Sequence, residues 1–161
     1  MPDTANETLS AEEYRRGHQS EEDIHKAVVE WADRQAATEP ALEMLFHVPN
    51  GGSRHIAEAT KLKAMGTRQG VPDLLLPVPG PAPDVDGMHT GLALELKSPR
   101  GRLRPTQAWW LARLREQGWA VAVAWTFGEA HHTIQRYLDG EHEPQETLDL
   151  SIAEPPRHVN N

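Results

Sequence analysis

Residues 119–125 read Trp-Ala-Val-Ala-Val-Ala-Trp, with Trp119, Val121, Val123 and Trp125 alternating strictly with alanine. A two-residue period over seven positions suits a β-strand with two unlike faces and no helix. Residues 92–98 repeat the pattern, with Leu92, Leu94 and Leu96 on one side and Ala93, Glu95 and Lys97 on the other. Two shorter apolar runs, residues 44–48 and 73–78, make four strands.

Helical spacing fills the intervals. Ser20 reads as an N-cap ahead of Glu21, Glu22 and Asp23, and Ile24, Ala27, Val28 and Trp31 carry a first helix to about Gln35. Ser53 can cap a second, with Ile56, Ala59, Leu62 and Met65 on one side and Gly66 at its end. Pro105 suits the first turn of a third, which Gly118 ends, and residues 128–138 form a fourth. Residues 79–91 hold three prolines and three glycines and read as a hairpin loop. The order α-β-α-β-β-α-β-α predicts an α/β fold, a mixed four-stranded sheet flanked by helices. The expected domain spans residues 20–138, with a flexible tail over 1–19 and an acidic tail over 139–161.

The chain has 161 residues and a formal charge of −8, which alone argues against a nucleic-acid partner. Position changes that inference. Residues 1–46 sum to −7 and residues 128–161 to −5, whereas residues 47–127 sum to +4. From Leu96 to Arg115 there are six basic residues and no acid. Absence of cysteine excludes disulfides and thiolate chemistry. No apolar run approaches a membrane span and the N-terminus lacks a signal-peptide core, so an intracellular, cytoplasmic protein is expected.

The chemistry concentrates in Gly70-Val71-Pro72-Asp73 and, 22 residues on, Glu95-Leu96-Lys97. Glu95 and Lys97 leave one face of a strand about 6–7 Å apart. A hairpin would bring Asp73 beside them. Two carboxylates and an intervening carbonyl, that of Leu96, are hard oxygen ligands for Mg²⁺ or Mn²⁺. A lysine beside them can orient an attacking water. Glu30, at the border of the first helix's apolar stripe, could reach over the sheet edge as a further ligand. Gln107 shares a helical face with Leu111 and Leu114, so its amide points inward or into a cleft and needs partners. The alternative for Glu95 and Lys97 is an ordinary solvent-facing pair.

Residues 47–54, His-Val-Pro-Asn-Gly-Gly-Ser-Arg, open a helix with backbone N–H groups suited to a phosphate, which nominates Asn50, Gly51 and Arg54. The glycine spacing is that of neither a Walker A loop nor a dinucleotide fingerprint. Lys61, Lys63 and Arg68 could follow a nucleic-acid backbone, as could Arg100, Arg102 and Arg104. Nine histidines show no zinc-site spacing, and the five tryptophans read as packing residues.

Taken in order, Glu30, His47-Val48-Pro49-Asn50-Gly51, Lys63 with Gly66, Gly70-Val71-Pro72-Asp73, Glu95-Leu96-Lys97, Gly101 to Gln107, Gly118 and Tyr137-Leu138 resemble the VRR-NUC domain. That family belongs to the PD-(D/E)xK nuclease superfamily, whose restriction-endonuclease-like core agrees with the predicted sheet. The resemblance implies a divalent-metal-dependent DNA endonuclease. It makes Asp73, Glu95 and the Leu96 carbonyl metal ligands, Lys97 the residue that positions the attacking water, Glu30 the first-helix acid, and Gln107 the glutamine that follows the lysine strand. Small standalone members, commonly of phage or bacteria, form homodimers that act on branched DNA such as four-way junctions. Arg104 stands where many members have a small hydroxyl residue, which removes a usual helix cap and adds a phosphate contact. Thr67-Arg68-Gln69-Gly70 carries part of the family's signature. Competing readings are a branched-DNA-binding module without activity, a hydrolase of another phosphoester, and a structural protein.

Overall fold

The computed structural model describes residues 18–49, 56–83 and 87–157. Helix α1 (Glu21–Gln35) begins at a reciprocal cap. The Ser20 hydroxyl accepts from the Asp23 N–H, and the Asp23 carboxylate accepts from the Ser20 N–H, both at 3.1 Å. A 3₁₀ turn (Pro40–Met44) leads to β1 (Phe46–His47). Helix α2 (Ile56–Ala64), β2 (Leu74–Leu76), the small hairpin β3 (Gly80–Ala82) and β4 (Gly87–His89), β5 (Leu92–Leu96), α3 (Pro105–Glu116), β6 (Ala120–Ala124) and α4 (Phe127–Leu138) follow. The four expected strands form one sheet in the order β1-β2-β5-β6. The β1/β2 and β2/β5 pairs are antiparallel and β5/β6 is parallel, with α3 as the crossover between them. The segment expected as a loop, residues 79–91, adds the two-stranded β3/β4 sheet.

The alternation of residues 92–96 and 120–124 sorts two cores. Leu92, Leu94 and Leu96 lie with Ala120, Ala122 and Ala124 against Ile24, Val28 and Trp31 of α1 and Ala130, Ile134 and Tyr137 of α4. The alanines leave room for these bulky helix residues. Each fully buried leucine contributes roughly 2 kcal/mol over its exposed state. Ala93, Val121 and Val123 face the other way, towards Leu111 of α3, with Trp119 and Trp125 at the margin. Glu95 falls on this second face, opposite α3.

Two expectations need correction. The apolar side foreseen for the second helix is exposed at Ala59 and Met65, because few of the described residues stand against α2. The segment after residue 138, foreseen as a tail, is docked over residues 141–157. Leu148 and Leu150 pack on the second core, and the Glu154 N–H reaches the Pro105 carbonyl at 3.1 Å. The Gln145 side chain accepts from the Val123 N–H at 2.8 Å and donates to the Val123 carbonyl at 2.9 Å, occupying the outer edge of β6. No helix among the described residues is long and apolar enough to cross a membrane.

Candidate active site

Asp73 immediately precedes β2, where its carboxylate accepts the Leu96 N–H at 2.8 Å. That bond aligns the end of β5 with the start of β2. The Asp73 carbonyl in turn accepts from the Val48 N–H at 3.0 Å and lies 2.9 Å from His47 Nδ1, so that nitrogen carries the proton. The preceding loop is fitted to α3 at Gly70. Its φ is +87°, and a Cβ there would lie 2.8 Å from the Thr106 backbone. Trp110 Nε1 also donates to the Gln69 carbonyl at 3.0 Å. The aspartate and the start of α3 therefore form one rigid wall.

Glu95 is 1% exposed, Lys97 3% and Gln107 3%. One Glu95 oxygen, Oε1, accepts from Gln107 Nε2 and lies 2.7 Å from Lys97 Nζ. The Gln107 oxygen accepts from the Arg104 N–H at 2.9 Å, so this glutamine caps α3 from inside, where Arg104 supplies no side-chain cap. The Lys97 N–H bonds to the Ala124 carbonyl at 2.8 Å, so the peptide unit that bears the Leu96 carbonyl is fixed to β6. The other Glu95 oxygen, Oε2, is buried with no hydrogen-bond partner among the described residues. Glu95 belongs to a group of three carboxylates, with Glu21 and Asp73, in which one oxygen from each lies within 4.8 Å of the others. Lys97 Nζ is 3.5 Å from Glu21.

Three acids against one ammonium leave an excess of negative charge in a poorly solvated place. Burial, then repulsion from Asp73, pushes the Glu95 carboxyl up to about 8 despite the attraction of Lys97. Burial also raises Asp73, against the Leu96 hydrogen bond and Lys97. An unpartnered buried oxygen, hard donors and crowded negative charge are the conditions a divalent cation relieves. The residues present fit one.

The structure brings together Asp73, Glu95, Lys97 and Gln107, with Leu96 between two of them. It does not bring Glu30. That side chain is 71% exposed and held by Arg34 at 2.6 Å, about 13 Å along α1 from the cluster. Glu21 occupies the place expected for Glu30, because α1 points its N-terminus, not its middle, at the sheet end. The helix-start reading of Glu21 had already accounted for its charge, and the strand-end geometry was the missing signal. His25, one turn beyond Glu21, was also unforeseen; its ring meets His47 edge-on at 4.4 Å. Burial and the neighbouring His47 lower its pKa.

Arg100, Arg102 and Arg104 are exposed in the loop before α3. Lys63 is exposed on α2, while Arg68 turns back towards the Lys63 and Thr67 carbonyls at 3.4 and 3.5 Å. Asn50, Gly51 and Arg54 lie outside the described residues.

The family model for the VRR-NUC domain matches residues 5–126. Among solved structures, one titled "VRR_NUC domain protein" is similar at 25% identity and a TM-score of 0.62, over 81% of this chain and 98% of that one. The comparison with curated proteins found no match.

Proposed function

The chain belongs to the VRR-NUC domain family, and on that premise we propose that it is a divalent-metal-dependent endonuclease hydrolysing DNA phosphodiester bonds. The observation that carries this reading is the buried Glu95 carboxylate, which belongs to a group of three carboxylates, meets Lys97 through Oε1 and has Oε2 unpartnered among the described residues.

In this proposal Glu21, Asp73, Glu95 and the Leu96 carbonyl hold the cation, Mg²⁺ or Mn²⁺. When bound, it draws off negative charge at the scissile phosphate and makes water a better nucleophile. Lys97 orients that water and offsets charge building on the phosphate. Gln107 fixes the Glu95 rotamer, leaving Oε2 turned to the cation rather than to a protein donor. Arg100, Arg102 and Arg104, with Lys63, Arg68 and the segment bearing Asn50, Gly51 and Arg54, contact the DNA backbone.

A preference for branched DNA or four-way junctions, and action as a homodimer in the cytoplasm, complete the proposal. The charge of −8 supports the preference. It weakens non-specific attraction to duplex DNA and favours recognition by shape, or by two basic faces joined.

The test is cleavage of labelled linear, flap, splayed-arm and four-way-junction DNA with Mg²⁺, Mn²⁺ or EDTA. The expected result is cutting with either metal and none in EDTA, with Asp73→Ala, Glu95→Ala and Lys97→Ala each binding DNA without cutting. Full activity in the triple variant would overturn the assignment.

A further inference from the structure

Helix α2 is poorly accounted for by the fold. From Ala57 to Met65 only Leu62 is half-buried, every other residue is exposed, and Met65 is 71% exposed. A nine-residue helix is too short to persist on its own backbone bonds, and packing normally supplies the remainder. Among the described residues, a set of hydrogen bonds ties down its C-terminal end. The Thr67 N–H bonds to the Leu62 carbonyl at 3.0 Å, Arg68 reaches the Lys63 carbonyl, and the Gln69 carbonyl is held by Trp110. These bonds anchor the C-terminal end of the helix, nine residues before Asp73.

Its two lysines share the helix with one acid, Glu58, and no ion pair joins them to it. Lys26, Arg34, Arg113 and Arg136 each have a carboxylate within 4.0 Å. No ion pair joins Lys61 or Lys63 to an acid among the described residues. At 100° per residue, the direction opposite the packed Leu62 carries the small residues Ala57, Thr60 and Ala64, and Lys61 and Lys63 leave the helix about 80° to either side of it. A helix with a low outward face and a cation on each flank matches the major groove of duplex DNA, about 12 Å wide and walled by two phosphate backbones.

We propose that α2 lies in the major groove of the duplex arm flanking the cleaved bond, with Lys61 and Lys63 reaching the two opposing backbones. This rests on the nuclease reading and extends it. The acidic cluster cuts, and α2, rooted in the wall that carries Asp73, sets where the duplex arm runs. The contact is to backbone and groove shape, so affinity responds to salt and to duplex length more than to base sequence.

The test uses the full chain in EDTA, where DNA is bound and not cut, with a duplex of about 30 base pairs over a range of salt. Lys61→Ala with Lys63→Ala should weaken binding about tenfold at low salt and reduce the slope of log affinity against log salt by about 2, one per lost phosphate contact. Ala64→Phe, which leaves the charge intact and raises the outward face, should weaken binding to duplex and not to single strands. Thermal midpoints and Mn²⁺ binding by calorimetry should match wild type for all of them, because these positions are exposed and none belongs to the three-carboxylate group. Unchanged affinity and salt slope in the double variant would overturn the proposal. So would unchanged DNA binding with an altered sedimentation mass, which would make α2 a contact between copies of the chain. Failure of the wild type itself to bind DNA would remove the nuclease reading as well, a different result from wild-type binding that the variants retain.

Discussion

Gln107 Nε2 donates to Oε1 of Glu95, and the remaining Glu95 oxygen has no hydrogen-bond partner among the described residues. One buried amide thus decides which carboxylate oxygen is spent on the fold and which is left for a ligand. Gln107→Ala should lower divalent-cation affinity and cleavage rate by about 10–100-fold, as losses of supporting hydrogen bonds around metal ligands commonly do. It also strips the Arg104 N–H of its acceptor. A stability loss of about 1–3 kcal/mol should accompany it in urea denaturation.

Glu21 and Glu30 share a helix and differ in position. Glu21→Ala removes a member of the three-carboxylate group and should reduce Mn²⁺ affinity, read by calorimetry, together with cleavage. Glu30→Ala breaks only an exposed pair with Arg34 and should leave both unchanged, with the thermal midpoint within about 2 °C of wild type. A loss of metal affinity in Glu30→Ala alone would reverse the assignment.

Gly70 and Gly66 both hold positive φ, +87° and +99°. Alanine at Gly66 meets nothing within 4 Å and should cost only the left-handed backbone, about 1–2 kcal/mol. Alanine at Gly70 must also displace the Thr106 backbone, parting the Asp73 loop from α3. Gly70→Ala should therefore cost at least about 2 kcal/mol and depress cleavage more than its stability loss explains. Equal midpoints for the two variants would show that the close approach at Gly70 is dispensable.

Tyr137 donates its hydroxyl to the Val78 carbonyl, and burial raises its pKa from 10.0 to about 12. Between these values the folded chain keeps a proton that the unfolded chain has lost, so folding takes up a proton there. The contribution to stability is complete below pH 10 and falls as pH rises towards 12. Urea midpoints taken across that interval should drop in the wild type and flatten in Tyr137→Phe. A wild-type profile indifferent to pH across the same interval would contradict the buried, protonated state.

Much of this was visible in residue order. The strands at 92–96 and 120–124 announced themselves because each has two faces with different tasks, leucine or alanine inward and larger or charged groups opposite. Asp73, Glu95, Lys97 and Gln107 could be nominated because a strand's two-residue period and a helix's turn convert spacing into direction. Glu21 could not. An acid in a helix's first turn already has an electrostatic reason to be there, and only the approach of α1 to the end of β5 adds a second. Glu30 looked suitable because the angle around a helix is legible in sequence while the helix's tilt over a sheet is not. The packing of Leu148 and Leu150 was hidden in an acidic, proline-bearing stretch whose composition resembles a solvated end. Likewise, the short β3/β4 pair is built from glycine, proline and alanine, residues that signal turns.

Gln145 has a further consequence. A sheet ends where its last strand shows unpaired amides, and such a border invites strands from other molecules to continue it. At Val123 both backbone groups are already engaged by one side-chain amide, which stands in for a single residue of a missing strand. The opposite border is β1, two residues long, too brief to template a stable addition. Both borders therefore resist extension of the sheet by another molecule, and truncation before residue 145 would turn a closed border into an adhesive one.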